Sequence, residues 1–220
     1  MKISIIVLTY NRDVLPCLKA IKENTQNNYE LILVDNSCNY QKVYDNYVDK
    51  YIGIKDNEKV LSRNYGKLVA KGDYIACIDD DVIVYLNWDE IFLYYMNQAK
   101  DIVGVGECGW YVYPDLSNYN KLQGRVGNYV SVVTGYCWMH KNVPEGLLPY
   151  DYGISTWHDE SWIQLQMREK GGRFMQTPKV CDHNSQRGII SEESWIDHDS
   201  KIKKIQKRFK ICDLNLEEAK

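Results

Sequence analysis

Apolar runs alternate with stretches of helical periodicity through the first 105 residues. Residues 3–8 are continuously apolar, as in a strand buried on both faces. Residues 14–23 have helical content, with Pro16 tolerable in a first turn. Residues 29–34 predict a second strand that stops at Asp35, and residues 51–54 a third. Residues 60–70 predict a helix, with Gly72 in the turn after it. A fourth strand over 74–78 runs straight into Asp79-Asp80-Asp81. Residues 88–99 read as a helix and 102–105 as a fifth strand. Non-alternating strands between helices predict an α/β fold, with a mostly parallel central sheet flanked by helices. Ligands of such sheets bind beyond the carboxyl ends of the strands.

The second half changes character. Residues 106–128 are rich in Gly, Tyr and Asn, lack a period, and read as a long functional loop. Residues 129–140 are apolar and β-branched and predict one strand. A helix over 160–170 ends at Gly171-Gly172, and a strand over 174–180 is interrupted near Pro178. The tail over 191–211 carries Lys201, Lys203, Lys204, Lys207, Arg208 and Lys210 on an expected helix. The expected division is a domain over 1–188, with halves 1–105 and 106–188, and a helical tail over 189–220.

Composition narrows the function classes. A chain of 220 residues can bury a core without disulfide staples. Its net charge of −3 gives no global basic field for nucleic acid or acidic lipid. The seven cysteines are scattered, odd in number and without a C-x-x-C pair, which argues against a disulfide framework or a structural zinc site. A reducing compartment, the cytoplasm, is the expectation. No run of 18 apolar residues exists, so no transmembrane segment is expected. The basic tail permits contact with an anionic membrane or with nucleic acid but demands neither, and a solvated helix is its plainer reading.

The acidic triplet is the first candidate for chemistry. On an extended backbone Asp79 and Asp81 point to one side and Asp80 to the other. Two carboxylates at a strand end can bind a hard divalent cation, which would neutralise a diphosphate. An acidic turn at a strand exit is the plain alternative. Three other strings accompany the triplet in order: Thr9-Tyr10-Asn11-Arg12, Val34-Asp35-Asn36-Ser37 and Arg63-Asn64-Tyr65-Gly66.

This ordered set resembles family 2 glycosyltransferases of the GT-A fold, over about residues 1–185. The resemblance implies a Rossmann-like nucleotide-diphospho-sugar transferase. It implies a nucleotide site of Thr9, Tyr10, Arg12, Asp35, Arg63, Asp79 and Asp80. Asp35 would accept from the ring N–H of uracil, making a UDP-sugar the expected donor; capping the following turn is its alternative role. It also implies a metal site of Asp81, with Asp79, and a His after the last core strand, matched by His183. Neutral imidazole suits Mn²⁺ better than Mg²⁺, so Mn²⁺ is the expected cofactor and Mg²⁺ the substitute.

The family also carries an acidic pair before a helix, whose second acid is the catalytic base. Here the string is Trp157-His158-Asp159-Glu160-Ser161-Trp162. In the family a Gly closes that helix eleven residues after the base, and Gly171 stands eleven after Glu160. That places Glu160 as base. The Asp-Glu order departs from the family's Glu-Asp and keeps Asp159 a competitor. A base with an ordinary carboxylate pKa is already ionised at neutral pH, so no large shift is required of it. His158-Asp159-Glu160-Ser161 is also similar to a string of family 6, which retains configuration, so inversion is expected with retention as the alternative. Gly135 and Trp138 fall on the family strand that lines the donor-sugar and acceptor cleft. Trp138 or Trp157 could stack on a sugar, or simply pack in the core.

The expected function is metal-dependent transfer of a sugar from a nucleotide diphosphate donor to a hydroxyl of a glycan or other acceptor. A DNA-modifying glycosyltransferase is a variant of this reading. A sugar-phosphate nucleotidyltransferase would carry a Gly-rich loop after the first strand, and Thr-Tyr-Asn-Arg has no Gly.

Overall fold

Alternate residues of the inner strands enter two different cores, which is why their sequences do not alternate. The strands β1 (Ile3–Thr9) and β2 (Tyr29–Asp35) flank the helix α1 (Leu15–Asn24) in sequence. Ile5, Val7, Leu31 and Leu33 join one core, while Ile6, Ile32 and Val34 join the other. The computed structural model describes residues 1–107, 109–110, 125–150 and 159–184, with single positions at 200, 204, 207 and 208.

The chain continues through β3 (Lys50–Gly53), α2 (Arg63–Val69), β4 (Tyr74–Asp79), β5 (Val82–Val84), α3 (Trp88–Met96) and β6 (Ile102–Gly106). Then come β7 (Gly109–Trp110), β8 (Tyr129–Val130), β9 (Val132–Val133), β10 (Cys137–Lys141), α4 (Asp159–Glu169), β11 (Arg173–Gln176) and β12 (Cys181–His183). Eight strands form the main sheet in the order β3-β2-β1-β4-β10-β6-β11-β8. The first four are mutually parallel, β6 and β11 are parallel, and β10 and β8 run antiparallel to their neighbours. The α/β expectation therefore holds, with a mixed rather than uniformly parallel sheet. Side chains of α1 and α3 fill one core and those of α4 the other. On the α4 side, α2 approaches β1 closely at Gly66, where a Cβ would lie 2.8 Å from Ile6 Cγ2.

The register brings the chemistry to one edge. Thr9 pairs with Asp35, and Leu8 with Asp79, so β1, β2 and β4 end side by side.

Three local expectations are corrected. The single strand expected over 129–140 is β8, β9 and β10. Each has a different partner, respectively β11, β7, and the pair β4 and β6. A continuous apolar run records burial but not a change of partner. The helix expected over 60–70 opens as a 3₁₀ turn, Lys59–Ser62, before α2. The strand β5, directly after the acidic triplet, was not foreseen; it pairs with β12 in a separate two-stranded sheet. Most of the expected 106–128 loop, Trp157 and most of the tail lie outside the described residues. Among the described residues no helix is long and apolar enough to cross a membrane.

Trp138 is a core residue, not an exposed sugar platform. Its side chain is 1% exposed. The ring stacks on His140 at 4.7 Å between centroids and lies 5.7 Å from the Lys67 ammonium. Trp138→Ala should lower the free energy of unfolding by about 3–5 kcal/mol, measured by chemical denaturation. A loss below about 1 kcal/mol would contradict this packing.

Candidate active site

The strand β4 delivers Asp79, and a turn at Asp80 and Asp81 leads into β5. Because β5 pairs with β12, His183 stands opposite Val82 in register. The Asn184 N–H donates to the Asp81 carbonyl at 3.0 Å, tying the two segments together. Asp79, Asp81 and His183 each offer a ligand atom, and these atoms lie within 4.8 Å of one another. His183 Nε2 is 3.3 Å from Asp81 Oδ1. The bond to Asp81 raises the His183 pKa, and His183 and Arg12 hold Asp81 low. Two carboxylate oxygens and one imidazole suit Mn²⁺ better than Mg²⁺. A cation there would compete with a proton on His183 and with Arg12, whose Nη1 lies 2.7 Å from Asp81 Oδ2. Arg12 is half-exposed.

Asp80 lies in the turn rather than on an extended strand, so the strict alternation expected along the triplet does not hold, and Arg12 reaches both Asp80 and Asp81. Asp80 accepts from the Thr9 hydroxyl at 2.7 Å and lies 3.4 Å from Arg12 Nη1. Thr9, Arg12 and Asp80 therefore interlock at the ends of β1 and β4. Tyr10 is 48% exposed in the same loop.

Arg63 links this cluster to the second acidic pair. It begins α2 and is buried, with Nη2 donating to Asp79 and Nη1 to Asp159 at 2.8 Å. Burial disfavours the guanidinium charge, but Asp79 and Asp159 more than offset it and the pKa is raised. The guanidinium expected at the nucleotide is thus engaged between two carboxylates.

Asp159 and Glu160 open the first turn of α4. Asp159 is buried and bound to Arg63. Glu160 rests on Gly135, where a Cβ would lie 2.8 Å from Glu160 Oε2, so the glycine makes room for this carboxylate. One turn along α4, the fully buried Gln164 clamps β9: Val133 N–H donates to its Oε1 at 2.6 Å, and its Nε2 donates to the Val133 carbonyl at 3.0 Å. The two residues share a helix face, so this clamp holds the turn of α4 that carries Glu160 against β9. Burial, then the neighbouring Asp159, raises the Glu160 pKa. The base that needed no shift thus has one, since partial burial and the like charge of Asp159 both disfavour its ionised form.

Asp35 ends β2 and is buried, and its carboxylate is engaged by the turn that follows. One oxygen accepts from the Ser37 N–H at 2.8 Å and from the Ser37 hydroxyl. The other accepts from the Asn39 N–H and the Tyr51 hydroxyl, both at 2.8 Å. A carboxylate has about four acceptor sites, so this one is full. The alternative role, anchoring the turn after β2, is the one the structure displays. Gln164 and Tyr136 went unassigned in the sequence, where a buried Gln inside a helix and a Tyr before a strand carry no distinguishing signal.

Residues 4–142 match the family model of Glycosyl transferase family 2. The chain belongs to this family. The family 2 chain is 32% identical over 143 residues to the glycosyltransferase GlyG of Streptococcus pneumoniae, covering 60% of this chain and 44% of that protein. It is 33% identical over 85 residues to an uncharacterized glycosyltransferase of Haemophilus influenzae, covering 36% and 29%. The match thus spans less than half of either curated relative. Among solved structures it is similar to the mannosyltransferase PcManGT of Pyrobaculum calidifontis in complex with GDP-Man and Mn²⁺, with TM-score 0.67 and 18% identity over 94% of this chain and 63% of that one. It is also similar to GalNAc-T7 with UDP, GalNAc and Mn²⁺, with TM-score 0.70 and 15% identity over 94% and 49%. The likeness to S. aureus TarS 1-349 has TM-score 0.65 and 13% identity over 100% and 68%. At these identities the likeness shows the fold, which is GT-A.

Asp81→Asn should abolish Mn²⁺-dependent binding of a nucleoside diphosphate in calorimetry, and His183→Ala should weaken Mn²⁺ affinity about 10-fold or more. Unchanged affinity in Asp81→Asn would remove this cluster as the cation site.

Proposed function

We propose that this family 2 domain transfers a glycosyl group from a nucleoside-diphosphate sugar to an acceptor hydroxyl, with Mn²⁺ bound and with inversion. The observation that carries the reading is that Arg63 joins the group of Asp79, Asp81 and His183 to Asp159, next to Glu160 at the start of α4. A bound divalent ion would supply Lewis-acid stabilisation of the departing diphosphate. Asp81, Asp79 and His183 would hold it. The loop after β1, with Thr9, Tyr10 and Arg12, and the Asp80 that binds Thr9 and Arg12, are assigned to the nucleotide.

Glu160 is assigned as the base. Asp159 already neutralises Arg63, whereas the Glu160 carboxylate is seated in the gap left by Gly135. As the acceptor oxygen bonds to the anomeric carbon, Glu160 takes the hydroxyl proton and the bond to diphosphate breaks. Its raised pKa makes it a stronger base once ionised. Uracil reading by Asp35 would require one of four donors to leave, so the donor is argued at the level of the nucleoside diphosphate. The acceptor is a glycan or another hydroxyl compound.

Glu160→Gln should keep UDP or GDP affinity within about threefold and lose at least ~100-fold in transfer rate. The product's anomeric coupling constant, read by NMR, should show inversion. Retention would instead make Glu160 a nucleophile or a transition-state stabiliser.

The pH profile tests the same assignment. The folded Glu160 pKa is raised, so the active ionised form appears only as pH climbs above the ordinary Glu range. The rate kcat/KM should rise with pH along that limb. Asp159→Asn removes a like charge, so the limb should shift to lower pH. A limb that stays in place would show that some other group titrates.

A further inference from the structure

A buried carboxylate outside the groups described above supports the cation cluster from behind. Glu107 follows β6 and is 7% exposed. Among the described residues no cation pairs with it. A buried charge without a counter-ion persists only where donors converge on it. Here they come from two places. The Tyr136 hydroxyl donates to Oε1 at 2.6 Å. The backbone N–H groups of Val180 and Cys181 donate to Oε2 at 2.8 and 3.3 Å, and the Cys181 thiol lies 3.6 Å from Oε1.

Both destinations lead to the cluster. Cys181 begins the short strand β12 that carries His183. The Tyr136 ring stacks on the His183 imidazole, 4.4 Å between centroids and 21° between planes. The Tyr136 carbonyl accepts the Asp79 N–H at 2.8 Å. One carboxylate therefore holds the strand bearing the imidazole and the ring against which the imidazole lies. A neutral amide at position 107 would reverse the bond to the Tyr136 hydroxyl and remove the charge that strengthens the two backbone N–H bonds, and the frame would loosen.

We propose that Glu107 is a positioning residue for divalent-cation binding, acting on His183 through Tyr136 and β12. This rests on the cation reading of Asp79, Asp81 and His183. The test is a titration with Mn²⁺ alone, read from the electron paramagnetic resonance signal of the free ion, with thermal unfolding as a check on folding. Glu107→Gln should weaken Mn²⁺ binding about 10-fold or more, the size seen when partners behind metal ligands are removed. Tyr136→Phe, which keeps the ring and loses only the hydroxyl, should weaken it in the same direction by less.

The decisive comparison is the double variant with His183→Ala. If Glu107 acts through His183, Glu107→Gln should add little to the loss already caused by His183→Ala. Independent, multiplying losses would overturn the proposal, as would wild-type affinity in a folded Glu107→Gln. Should Glu107→Gln fail to fold, Tyr136→Phe carries the same cycle with the same criteria. Wild-type affinity in His183→Ala would sink the cation reading itself, and the role of Glu107 with it.

Discussion

The buried guanidinium of Arg63, held between Asp79 and Asp159, is the interaction on which the site depends. Asp79 ends a central strand and Asp159 begins α4, so one side chain spans the sheet edge and the helix that carries the assigned base. Removing one partner of a buried pair is costly because the other charge stays behind in a poorly solvated place. With two carboxylates on one cation the penalty would fall on both. Arg63 therefore ties the end of β4, with its acidic cluster, to the start of α4, which carries Glu160.

Charge balance explains the rest of the arrangement. Asp79, Asp80, Asp81, Asp159 and Glu160 converge on one region, against Arg12 and Arg63 among the described cations. The excess negative charge suits a divalent ion, while burial and then the adjacent Asp159 raise the Glu160 pKa. Two small features of the segment before β10 make this crowding possible. Gly135 leaves the space that the Glu160 carboxylate fills, and Tyr136 braces both Asp79 and His183.

The GT-A likeness spans neighbours described with GDP-Man and with UDP. A shared scaffold therefore accommodates different bases, in keeping with function residing in side chains placed on a fold. The saturated Asp35 carboxylate fits that view, since it serves the turn after β2 rather than offering a free acceptor.

The strands β1, β2 and β4, their flanking helices and the placement of Asp79-Asp80-Asp81 at a strand end were determined by sequence alone. Burial on both faces writes an unbroken apolar run, and a strand end is marked where polar residues begin, so both signals are local. The ordered strings from Thr9 to Asp81 likewise identified the family before any contact was known. Tertiary structure decided the rest. Residues 129–140 became three strands because their partners lie far away in sequence. Trp138 became core because Lys67, His140 and Phe174 close around it. Asp35 was filled by Tyr51 and its own turn, and Asp159 was set apart from Glu160 by Arg63. Hydrogen bonding is a property of which donors arrive at an acceptor, and only the folded chain brings them there.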